Sequence, residues 1–488
     1  MTLISQLLAP WFPYSGTEQF NNIHLDSRQL QAGDLFVAVA GHQVDGRQFI
    51  NSAISAGAVA VIQETNQSNL HGQVEYQQQC PVISFFGLSR ELSQLGMQAY
   101  PLESALNTLL AVTGTNGKTS VTQLMAQLVT LCGQPAAVFG TNGNGLWGSL
   151  EQSLNTTSDP LTICRNVHHF AEQGAHWQML EVSSHGLVQG RTSALPFKGA
   201  VFTNLSRDHL DYHGDMDNYA LAKRRLFDYP NLRYKLFNID DSYGALWQSQ
   251  YQGDSYGYSV SNANAHYHIG HARFHESGVE AEIVTPKGRF TINSPLLGEF
   301  NLSNLLAALA MLDLAGLGID KTAQMVTKLT PIDGRMEKFA QQHKATIVVD
   351  YAHTPDALKV ALQALQKHCQ GKLWCVFGCG GDRDRGKRPL MTDAAISNAD
   401  RVVLTADNPR SELVSQILSD MTSELADKSS VKVIEDRQQA IAYALEHAKA
   451  EDVILVAGKG HETYQEIRGI KHPYNERAYV AKLMEVNQ

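Results

Sequence analysis

The stretch "TGTNGKTS", residues 113–120, has the composition of a phosphate-binding loop. It follows the apolar run "LLAV" and precedes "VTQLMAQLVTLC", in which apolar residues recur at helical spacing. A loop between a strand and a helix favours an anion, because loop amides and the helix N-terminus point at it. Lys118 would supply a positive charge, and the Thr119 hydroxyl would supply a ligand for Mg²⁺. We therefore predict a nucleotide site, although the usual first glycine is replaced by Val112 and a glycine comes later, at Gly114.

Acidic residues and histidines follow two other apolar runs. Glu181 ends "WQMLE", and "GAVFTNL" leads into a segment with Asp208, His209, Asp211 and His213. So many polar side chains at the end of a strand favour a ligand site over a structural loop. Magnesium prefers oxygen ligands, so a histidine ligand would be unusual, and the residues alone leave its role open.

The last third of the chain repeats one theme, an apolar strand that ends in polar residues. "ATIVVD", "KLWCVFG", "RVVLTA" and "DVILVA" lead into "YAHTPD", "CGGDRDRGKR", "DNPRSE" and "GKGHE". In open α/β sheets ligands bind outside the carboxyl ends of the strands, so these four segments should converge. Asp407 suits an ammonium and Arg410 a carboxylate, and with Arg383 and Glu462 they suit an amino-acid zwitterion that has a further charged end. Taken alone, Asn-Pro signals only a turn.

Composition limits the classes of function. The 488 residues are too many for one core, and the net charge of −9 argues against a nucleic-acid partner. No apolar run is long enough to span a membrane, and the N-terminal segment lacks the pattern of a secretory signal. Six cysteines in a chain of this length indicate buried free thiols in a reducing compartment, so we expect a cytoplasmic protein.

Strand-like and helix-like segments alternate along most of the chain, which predicts an α/β fold with parallel sheets. Residues 255–293 contain four short strand-like runs and predict an antiparallel meander. We expect three domains. These are an N-terminal α/β domain over residues 1–100, a central domain over 101–331 with a P-loop ATPase-like parallel sheet and a small antiparallel sheet, and a Rossmann-like domain over 332–488.

An ordered set of motifs gives the chain a family resemblance. "LDSRQLQAGDLFVAVAGHQVDG", "TGTNGKTS", "EVSSHG", "TNLSRDHLDYHG", "GEFNLSN", "DGRME", "VVDYAHTPDAL", "GCGGDRDRGKRP", "DNPR" and "AGKGHE" occur in that order. The chain resembles the Mur ligases over nearly its whole length, and most closely the branch that adds meso-diaminopimelate to UDP-N-acetylmuramoyl-L-alanyl-D-glutamate in peptidoglycan precursor synthesis. Branches that take L-lysine generally depart from "DNPR", which this chain retains. The family uses the G-T-N-G-K-[ST] loop, which accounts for Val112, and Ser120 stands where a second threonine is common.

The resemblance implies an ATP-dependent, ADP-forming ligase that works through an acyl phosphate on the D-glutamate γ-carboxylate. It places Mg²⁺ on Thr119, Glu181, His209 and Lys223, with Lys223 modified to a carbamate, and gives catalytic roles to Lys118, His209 and Lys223. The implied ATP-binding residues are Gly114, Thr115, Asn116, Gly117, Lys118, Thr119, Ser120, Asn301, Arg335 and Asp350.

For the two other small-molecule substrates, the resemblance implies two further sets of residues and a monomeric, cytoplasmic enzyme. The UDP-muramoyl dipeptide set is Leu25, Ser27, His42, Gln43, Val44, Asn155, Thr156, Thr157, Ser183, Gln189 and Arg191. The diaminopimelate set is Arg383, Asp407, Asn408, Pro409, Arg410, Gly458 and Glu462.

Two other interpretations of the sequence remain. Folylpolyglutamate synthetase shares the loop and the chemistry, but lacks this N-terminal domain and the "DNPR" set. A regulatory protein that hydrolyses ATP only as a switch would leave the amino-acid residues unexplained. Release of phosphate separates the two classes, because a switch turns over ATP alone whereas a ligase needs both other substrates.

Overall fold

A computed structural model of the chain describes residues 2–41, 44–153, 155–275 and 277–485. The chain divides into two compact units, and each unit is formed by separate stretches of the sequence. Unit 1 comprises Met1–Gly114, Gly133–Val201 and Arg207–Lys235, and unit 2 comprises Thr115–Cys132, Phe202–Ser206 and Leu236–Gln488. The three domain ranges expected from the sequence stay a prediction. Among the described residues, no helix has both the length and the apolar character needed to cross a bilayer.

Unit 1 begins with a five-stranded sheet in the order β3-β4-β5-β7-β6, parallel except for β6 at one edge. The sequence predicted its strands β4 and β5 from "GDLFVAVAG" and "VAVIQE". Phe36, Val61 and Val82, from three of the strands, are buried in one core with Ile50 and Ala53 of α2. The elements are β1 (Thr2–Leu3), α1 (Ile4–Leu8), β2 (Gln19–Phe20), β3 (Ile23–His24), β4 (Leu35–Ala38), α2 (Ile50–Ser55), β5 (Ala60–Thr65), β6 (Val74–Gln77), β7 (Cys80–Phe86) and α3 (Leu88–Ala99).

The rest of unit 1 contains the parallel strands β9, β12 and β8, extended at one edge by the antiparallel hairpin β10–β11. Glu181 at the end of β12 pairs with Val112 of β8. The two strands are parallel, so Gly114 and Glu181 lie at the same edge of the sheet. The elements are β8 (Thr108–Thr113), β9 (Ala136–Gly140), β10 (Gly143–Leu146), β11 (Ser149–Glu151), α5 (Pro160–Glu172), β12 (Trp177–Glu181), α6 (Ser184–Val188), β13 (Gly199–Phe202), α7 (Leu210–His213), α8 (Met216–Arg224) and β14 (Tyr234–Asn238), the last of which continues into unit 2.

Unit 2 contains the helix that follows the phosphate loop, packed against a long apolar helix, α10. The predicted meander is confirmed for β16, β17 and β18, but it is wrong for β15, which pairs parallel with β16. Residues 260–266 carry the chain back before β16 begins, whereas an antiparallel pair is joined by a tight turn. The elements are α4 (Lys118–Leu131), α9 (Ser242–Gln250), β15 (Ser255–Ser259), β16 (Tyr267–His275), β17 (Gly278–Thr285), β18 (Gly288–Ser294), α10 (Glu299–Ala315) and α11 (Ile319–Met325).

The last part of unit 2 is a six-stranded sheet in the order β19-β20-β24-β21-β22-β23, parallel except for β19. Alternate residues of β21 face two cores, Cys375 and Phe377 on one side and Trp374 and Val376 on the other. The elements are β19 (Glu337–Phe339), β20 (Thr346–Asp350), α12 (Pro355–Gln366), β21 (Leu373–Phe377), α13 (Lys387–Asn398), β22 (Arg401–Leu404), α14 (Val414–Met421), β23 (Val431–Val433), α15 (Arg437–His447), β24 (Val453–Ala457), β25 (Tyr464–Ile467), β26 (Ile470–Pro473) and α16 (Glu476–Leu483).

The cysteines are free thiols in the described chain, as the sequence predicted, but burial is confirmed for only four of them, because Cys132 and Cys369 are half-buried. Burial raises the pKa of Cys379 to about 12, so this thiol stays protonated and unreactive near neutral pH. Cys375 and Cys379 therefore act as small apolar residues beside the sheet.

A buried ion pair braces the strand ends of this sheet. Arg437 and Glu476 are 3% and 0% exposed, and Arg437 Nη2 donates to Glu476 Oε1 at 2.9 Å. The same guanidinium donates to the carbonyl oxygens of Ala406 at 3.2 Å and Ala457 at 2.8 Å. Arg437 therefore fixes the two backbone segments that lead into "DNPR" and "GKGHE".

We expect Glu476→Gln to lower the free energy of unfolding by about 3–5 kcal/mol, because it leaves a buried guanidinium without its counter-charge. Urea unfolding followed by tryptophan fluorescence measures the change. Glu446→Gln, at an exposed position of α15, is the matched control. Equal stabilities of the two variants would show that the pair does not brace this sheet.

Candidate active site

The phosphate loop links β8 to α4, as predicted. Gly117 has φ +87°, and a Cβ added there would lie 2.6 Å from Asn304 Oδ1, so only glycine fits. Lys118 Nζ donates to the Thr115 carbonyl oxygen at 2.9 Å, which places the lysine back over its own loop. An anion at the N-terminus of α4 would thus meet backbone amides and this ammonium together.

The chain after β13 holds the part of the loop that belongs to unit 2. Thr115 N donates to the carbonyl oxygen of Asn204 at 2.8 Å, and Asn116 N donates to Asn204 Oδ1 at 2.9 Å. The Thr203 hydroxyl donates to the Asn116 carbonyl oxygen at 2.5 Å. These bonds hold the loop in place, and no pattern in the sequence indicates them.

In unit 1, two predicted metal-site residues are deeply buried. Glu181 is 1% exposed, and its carboxylate accepts from Thr141 N at 3.0 Å and from Thr141 Oγ1 at 3.1 Å. A Cβ on Gly140 would lie 2.1 Å from Glu181 Oε1, so the backbone of β9 closely approaches this carboxylate. Lys223 is also 1% exposed, and its Nζ donates to the Gly114 carbonyl oxygen at 2.7 Å.

The donor chemistry of these two residues decides whether they fit Mg²⁺. Glu181 supplies carboxylate oxygens, which Mg²⁺ prefers, but the ammonium of an unmodified lysine repels a cation. A carbamate on Lys223 fits, because it adds two oxygens and a negative charge and keeps one N–H for the bond to Gly114. Carbamylated Lys223 and Glu181 together therefore suit a hard divalent cation.

His209 belongs to an aromatic cluster of unit 1 that contains three histidines. Its ring centroid lies 5.1 Å from that of His185, and the His185 and His213 centroids are 5.4 Å apart. His213 Nε2 lies 2.9 Å from Ser184 Oγ. Burial, with His209 and His213 close by, lowers the pKa of His185 to about 4, so this imidazole is neutral at neutral pH. His209 itself has φ +54°, a strained conformation of the kind that collects at functional sites.

A cavity of about 800 Å³ in unit 1 brings together part of the predicted dipeptide set. Its lining includes Asn155, Gln189 and Arg191, together with Gln29, which follows Leu25 and Ser27 along the chain. Val44 is exposed, and His42 and Gln43 lie outside the described residues.

The remaining dipeptide residues connect this cavity to Glu181. Arg191 donates to Gln189 Oε1 at 2.9 Å and to the Thr157 carbonyl oxygen at 2.5 Å. The Thr157 hydroxyl donates to the Glu181 carbonyl oxygen at 2.9 Å and accepts from Ser183 N at the same distance. The hydroxyl oxygens of Thr156 and Thr141 are 3.1 Å apart, and the Thr141 hydroxyl donates to the Glu181 carboxylate.

In unit 2, two of the other predicted nucleotide residues, Arg335 and Asp350, lie beside Tyr351. Asp350 ends β20, and its carboxylate accepts from Met336 N and Ala352 N, each at 2.8 Å. The Arg335 guanidinium lies 4.5 Å from the centroid of the Tyr351 ring. Asn301 is in the first turn of α10, where its side-chain amide donates to the Leu297 carbonyl oxygen at 2.9 Å.

A close backbone contact joins this nucleotide group to the "GKGHE" segment. Gly334 has φ +64°, and a Cβ there would lie 2.1 Å from the backbone nitrogen of His461. The His461 ring lies 5.2 Å from that of Tyr351, and its Nδ1, like Arg335 Nε, is buried without a hydrogen-bond partner. Tyr351 and His461 lie in motifs quoted from the sequence, but neither is among the predicted site residues.

The predicted amino-acid residues converge at the carboxyl ends of β21, β22 and β24, as expected. A Cβ on Gly380 would lie 3.0 Å from Arg410 Nη1 and 3.7 Å from Arg383 Cγ, so both arginines flank the same glycine. Asn408 Nδ2 donates to Glu462 Oε2 at 2.8 Å. The structure thus brings together cations and carboxylates from three segments that are far apart in sequence.

The structure adds two charged residues to this group. Lys459, between the predicted Gly458 and Glu462, is fully buried among the carboxylates. Glu466 of β25 lies 3.2 Å from Arg410 Nε, while Arg410 Nη1 donates to the Gly381 carbonyl oxygen at 2.8 Å. The "GKGHE" motif offered a signal for Lys459, whereas nothing in the sequence pointed to Glu466.

Comparisons with known proteins agree with these motifs. The Mur ligase middle domain matches residues 112–312, the Mur ligase glutamate ligase domain matches 334–460, and the Mur ligase family catalytic domain matches 19–91. The chain is 47% identical to the UDP-N-acetylmuramoyl-L-alanyl-D-glutamate–2,6-diaminopimelate ligase of Vibrio cholerae, over 99% of this chain and 98% of that protein. It is 46% identical to the protein of the same name from Haemophilus influenzae, over 92% of each chain. A solved structure of a ligase of that name is similar with a TM-score of 0.71 and 38% identity, over 99% of both chains.

The half-buried His461 beside Tyr351 gives a test by pH. Burial and the nearby Arg335 and Arg477 lower the pKa of His461 to about 4, below its ordinary value near 6.5. Between those values the unfolded chain binds the proton and the folded chain does not, so stability is lost as pH falls through this window. We expect His461→Gln to lose less thermal stability than the wild type between about pH 6.5 and pH 4.5.

Melting temperatures of the two proteins across this pH range measure the effect. His447→Gln, at an exposed position of α15, should melt like the wild type at each pH. Parallel loss of stability in the wild type and His461→Gln would show that His461 protonates as easily in the folded chain as in the unfolded one.

Proposed function

Because this chain belongs to the Mur ligase family, we propose that it is the ATP-dependent ligase that joins meso-diaminopimelate to UDP-N-acetylmuramoyl-L-alanyl-D-glutamate. The observation that carries the proposal is the meeting of Arg383, Arg410, Asp407 and Glu462 at one edge of the last sheet. A phosphate loop elsewhere in the chain supplies the means of activating a carboxylate. The product is a precursor of peptidoglycan, made in the cytoplasm by a monomer.

The proposed reaction activates a poor electrophile. The γ-carboxylate of D-glutamate takes the terminal phosphoryl group of ATP, which releases ADP and leaves an acyl phosphate. The diaminopimelate amine attacks the acyl carbon, the tetrahedral intermediate expels phosphate, and the nitrogen loses a proton to give the amide. Lys118 and the loop amides would stabilise the charge that develops on the transferred phosphoryl group.

The residues proposed to hold Mg²⁺ are Glu181, His209, the carbamate of Lys223 and the Thr119 hydroxyl. The burial of Glu181 and Lys223 and the bond from Lys223 to Gly114 support this assignment. When bound, the metal would supply positive charge beside the phosphate oxygens. Arg335, Asp350 and Asn301, with the loop residues 114–120, are proposed to bind the nucleotide.

The dipeptide substrate is assigned to the cavity lined by Asn155, Gln189 and Arg191. Thr156, Thr157 and Ser183 tie this cavity to Glu181 by hydrogen bonds, which would place the substrate carboxylate near the metal-binding residues. Leu25, Ser27, His42, Gln43 and Val44 complete the proposed set. The ranges 1–100, 101–331 and 332–488 are proposed as the domains for the UDP-sugar, the nucleotide and the amino acid.

The residues proposed to bind the amino acid match the two ends of diaminopimelate. One ammonium is the nucleophile, and the far amino-acid centre carries a carboxylate and a second ammonium. Arg410 is proposed to bind the far carboxylate through two parallel hydrogen bonds, with Arg383 beside it. Asp407 and Glu462 would receive ammonium groups, while Asn408, Pro409 and Gly458 shape the surrounding backbone.

An assay with defined substrates tests the proposal. Purified protein is incubated with Mg-ATP, the UDP-muramoyl dipeptide and a panel of amino acids, with detection of product mass and released phosphate. We expect product and phosphate only when diaminopimelate and dipeptide are both present. Phosphate release from ATP alone would favour a nucleotide switch, and glutamate addition to a folate would favour a folylpolyglutamate synthetase.

Arg410 gives a sharp test of amino-acid choice. L-lysine lacks the far carboxylate, so its binding would desolvate the guanidinium donors of Arg410 that Glu466 and Gly381 do not engage, and we expect a preference for diaminopimelate of up to ~10⁴–10⁵-fold. Arg410→Ala should lose most diaminopimelate activity without gaining lysine activity. Removing the unfavourable desolvation of Arg410 does not create a pocket that binds lysine. Arg410→Lys should also be poor, because an ammonium does not reproduce the guanidinium fork.

Catalytic efficiency with each amino acid measures these effects, with Arg401→Ala, an exposed position of β22, as the control. Comparable efficiencies for lysine and diaminopimelate in the wild type would overturn the specificity assignment and leave the ligase assignment standing.

Lys223 tests the proposed carbamate. Lys223→Ala should lower turnover by on the order of 10²-fold or more, because it removes an anionic metal ligand. A short carboxylic acid added to the assay should restore part of the activity by supplying the missing oxygens. Labelling with ¹³CO₂ should give a carbamate NMR signal in the wild type and in the exposed control Lys321→Ala, and no such signal in Lys223→Ala. Full wild-type activity without that signal would exclude the carbamate.

A further inference from the structure

Lys459 is a fully buried cation at the centre of the residues proposed to bind the amino-acid substrate. Its Nζ donates to Asn408 Oδ1 at 2.9 Å, to Glu462 Oε2 at 3.0 Å and to Asp407 Oδ1 at 3.3 Å. An ammonium has three donors, so these bonds use all of its donor capacity. The three partners come from two different segments and all belong to the proposed diaminopimelate set.

The bonds leave half of each carboxylate for another cation. They use Asp407 Oδ1 and Glu462 Oε2, and not Asp407 Oδ2 or Glu462 Oε1. Both side chains are partly exposed, at 11% and 17%, whereas Lys459 is at 0%. Lys459 therefore lies behind the carboxylates and directs them, while the exposed parts of Asp407 and Glu462 face solvent.

Asn408 connects the lysine to the neighbouring hairpin. Its Oδ1 accepts from both Lys459 Nζ and Glu466 N, the latter at 2.9 Å, and its Nδ2 donates to Glu462 Oε2 at 2.8 Å. Glu466 in turn forms an ion pair with Arg410. The orientation of Asn408, and through it the position of Arg410, thus depends on the ammonium that fixes its amide oxygen.

The formal charges of the group balance only when Lys459 is counted. Arg383, Arg410 and Lys459 are positive, and Asp407, Glu462 and Glu466 are negative, so the sum is zero. Meso-diaminopimelate carries two ammonium groups and two carboxylates, which also sum to zero. Without Lys459, Asp407 and Glu462 would repel each other, which would move them apart.

We propose that Lys459 is a positioning residue for the amino-acid substrate, holding Asp407, Asn408 and Glu462 in the arrangement that receives the substrate ammonium. This inference rests on the ligase function proposed above. It assigns the lysine of "GKGHE" to amino-acid binding, without contact to the reacting atoms. Its loss should therefore weaken diaminopimelate binding and leave the binding of ATP and dipeptide unchanged.

The test is Lys459→Met, which keeps the length of the side chain and removes the charge. We expect the KM for diaminopimelate to rise by about 10–100-fold, as for loss of a buried charged hydrogen-bond network worth a few kcal/mol, with the KM values for ATP and dipeptide within about twofold of wild type. Lys471→Met, an exposed lysine on the nearby β26, is the matched control and should behave like the wild type.

A split between KM and kcat separates positioning from general damage. Since Lys459 does not contact the reacting atoms, the kcat of Lys459→Met at saturating diaminopimelate should stay close to that of the wild type while the KM for diaminopimelate rises. If Lys459→Met does not fold, Lys459→Arg keeps the charge but has a larger planar head, and should raise the same KM alone.

An unchanged KM for diaminopimelate in either folded variant would overturn the inference, and so would an equal rise in all three KM values. Absence of ligation by the wild type would instead overturn the proposed function, so the two failures are distinguishable.

Discussion

Compensation of buried charge is the constraint on which this structure depends. A protein that handles charged substrates needs charged side chains, and each of these is costly to bury without a partner. Lys459 is held by two carboxylates and an amide, and Arg437 is held by Glu476 and two backbone carbonyls. In each case the bond that removes the cost also fixes a neighbouring loop, so compensation of charge and the geometry of the ligand-binding segments have the same origin.

Parallel strands explain why such distant residues come together. The strands β20, β21, β22 and β24 run in one direction, so the polar residues that follow them meet at one edge. Within that edge, Arg410 has φ +50° and is held there by backbone bonds to Glu466 and Arg468. Left-handed backbone at a non-glycine residue costs free energy, so the hairpin β25–β26 maintains a conformation that the arginine would not adopt alone.

Much of this arrangement was predictable because its signals are local. Apolar runs identified β8, β12 and the strands of the last sheet, and the spacing of Gly117, Lys118 and Thr119 identified the phosphate loop. The proposed carbamate of Lys223 and the proposed metal-binding role of His209 rest only on family resemblance, since their residue types suggest a surface lysine and an improbable magnesium ligand.

The features that the sequence did not predict depend on tertiary contacts. The ion pair of Arg410 with Glu466 joins residues from different segments, and no periodicity or motif predicts it. Lys459 stood in a quoted motif, but its role depends on a lysine turned inward, which a motif does not reveal. The parallel pairing of β15 with β16 was missed because short strand-like runs separated by turn residues usually indicate hairpins.

The contact between Gly334 and the backbone of His461 has a thermodynamic consequence. One segment carries Arg335, proposed above to bind the nucleotide, and the other carries Glu462, proposed to bind the amino acid, and their backbones meet directly at Gly334 and His461. If ligand binding moves either segment, this contact transmits the movement to the other segment, and the two affinities are then linked. Linkage is reciprocal, so the factor by which nucleotide changes the affinity for the amino acid equals the factor by which the amino acid changes the affinity for nucleotide.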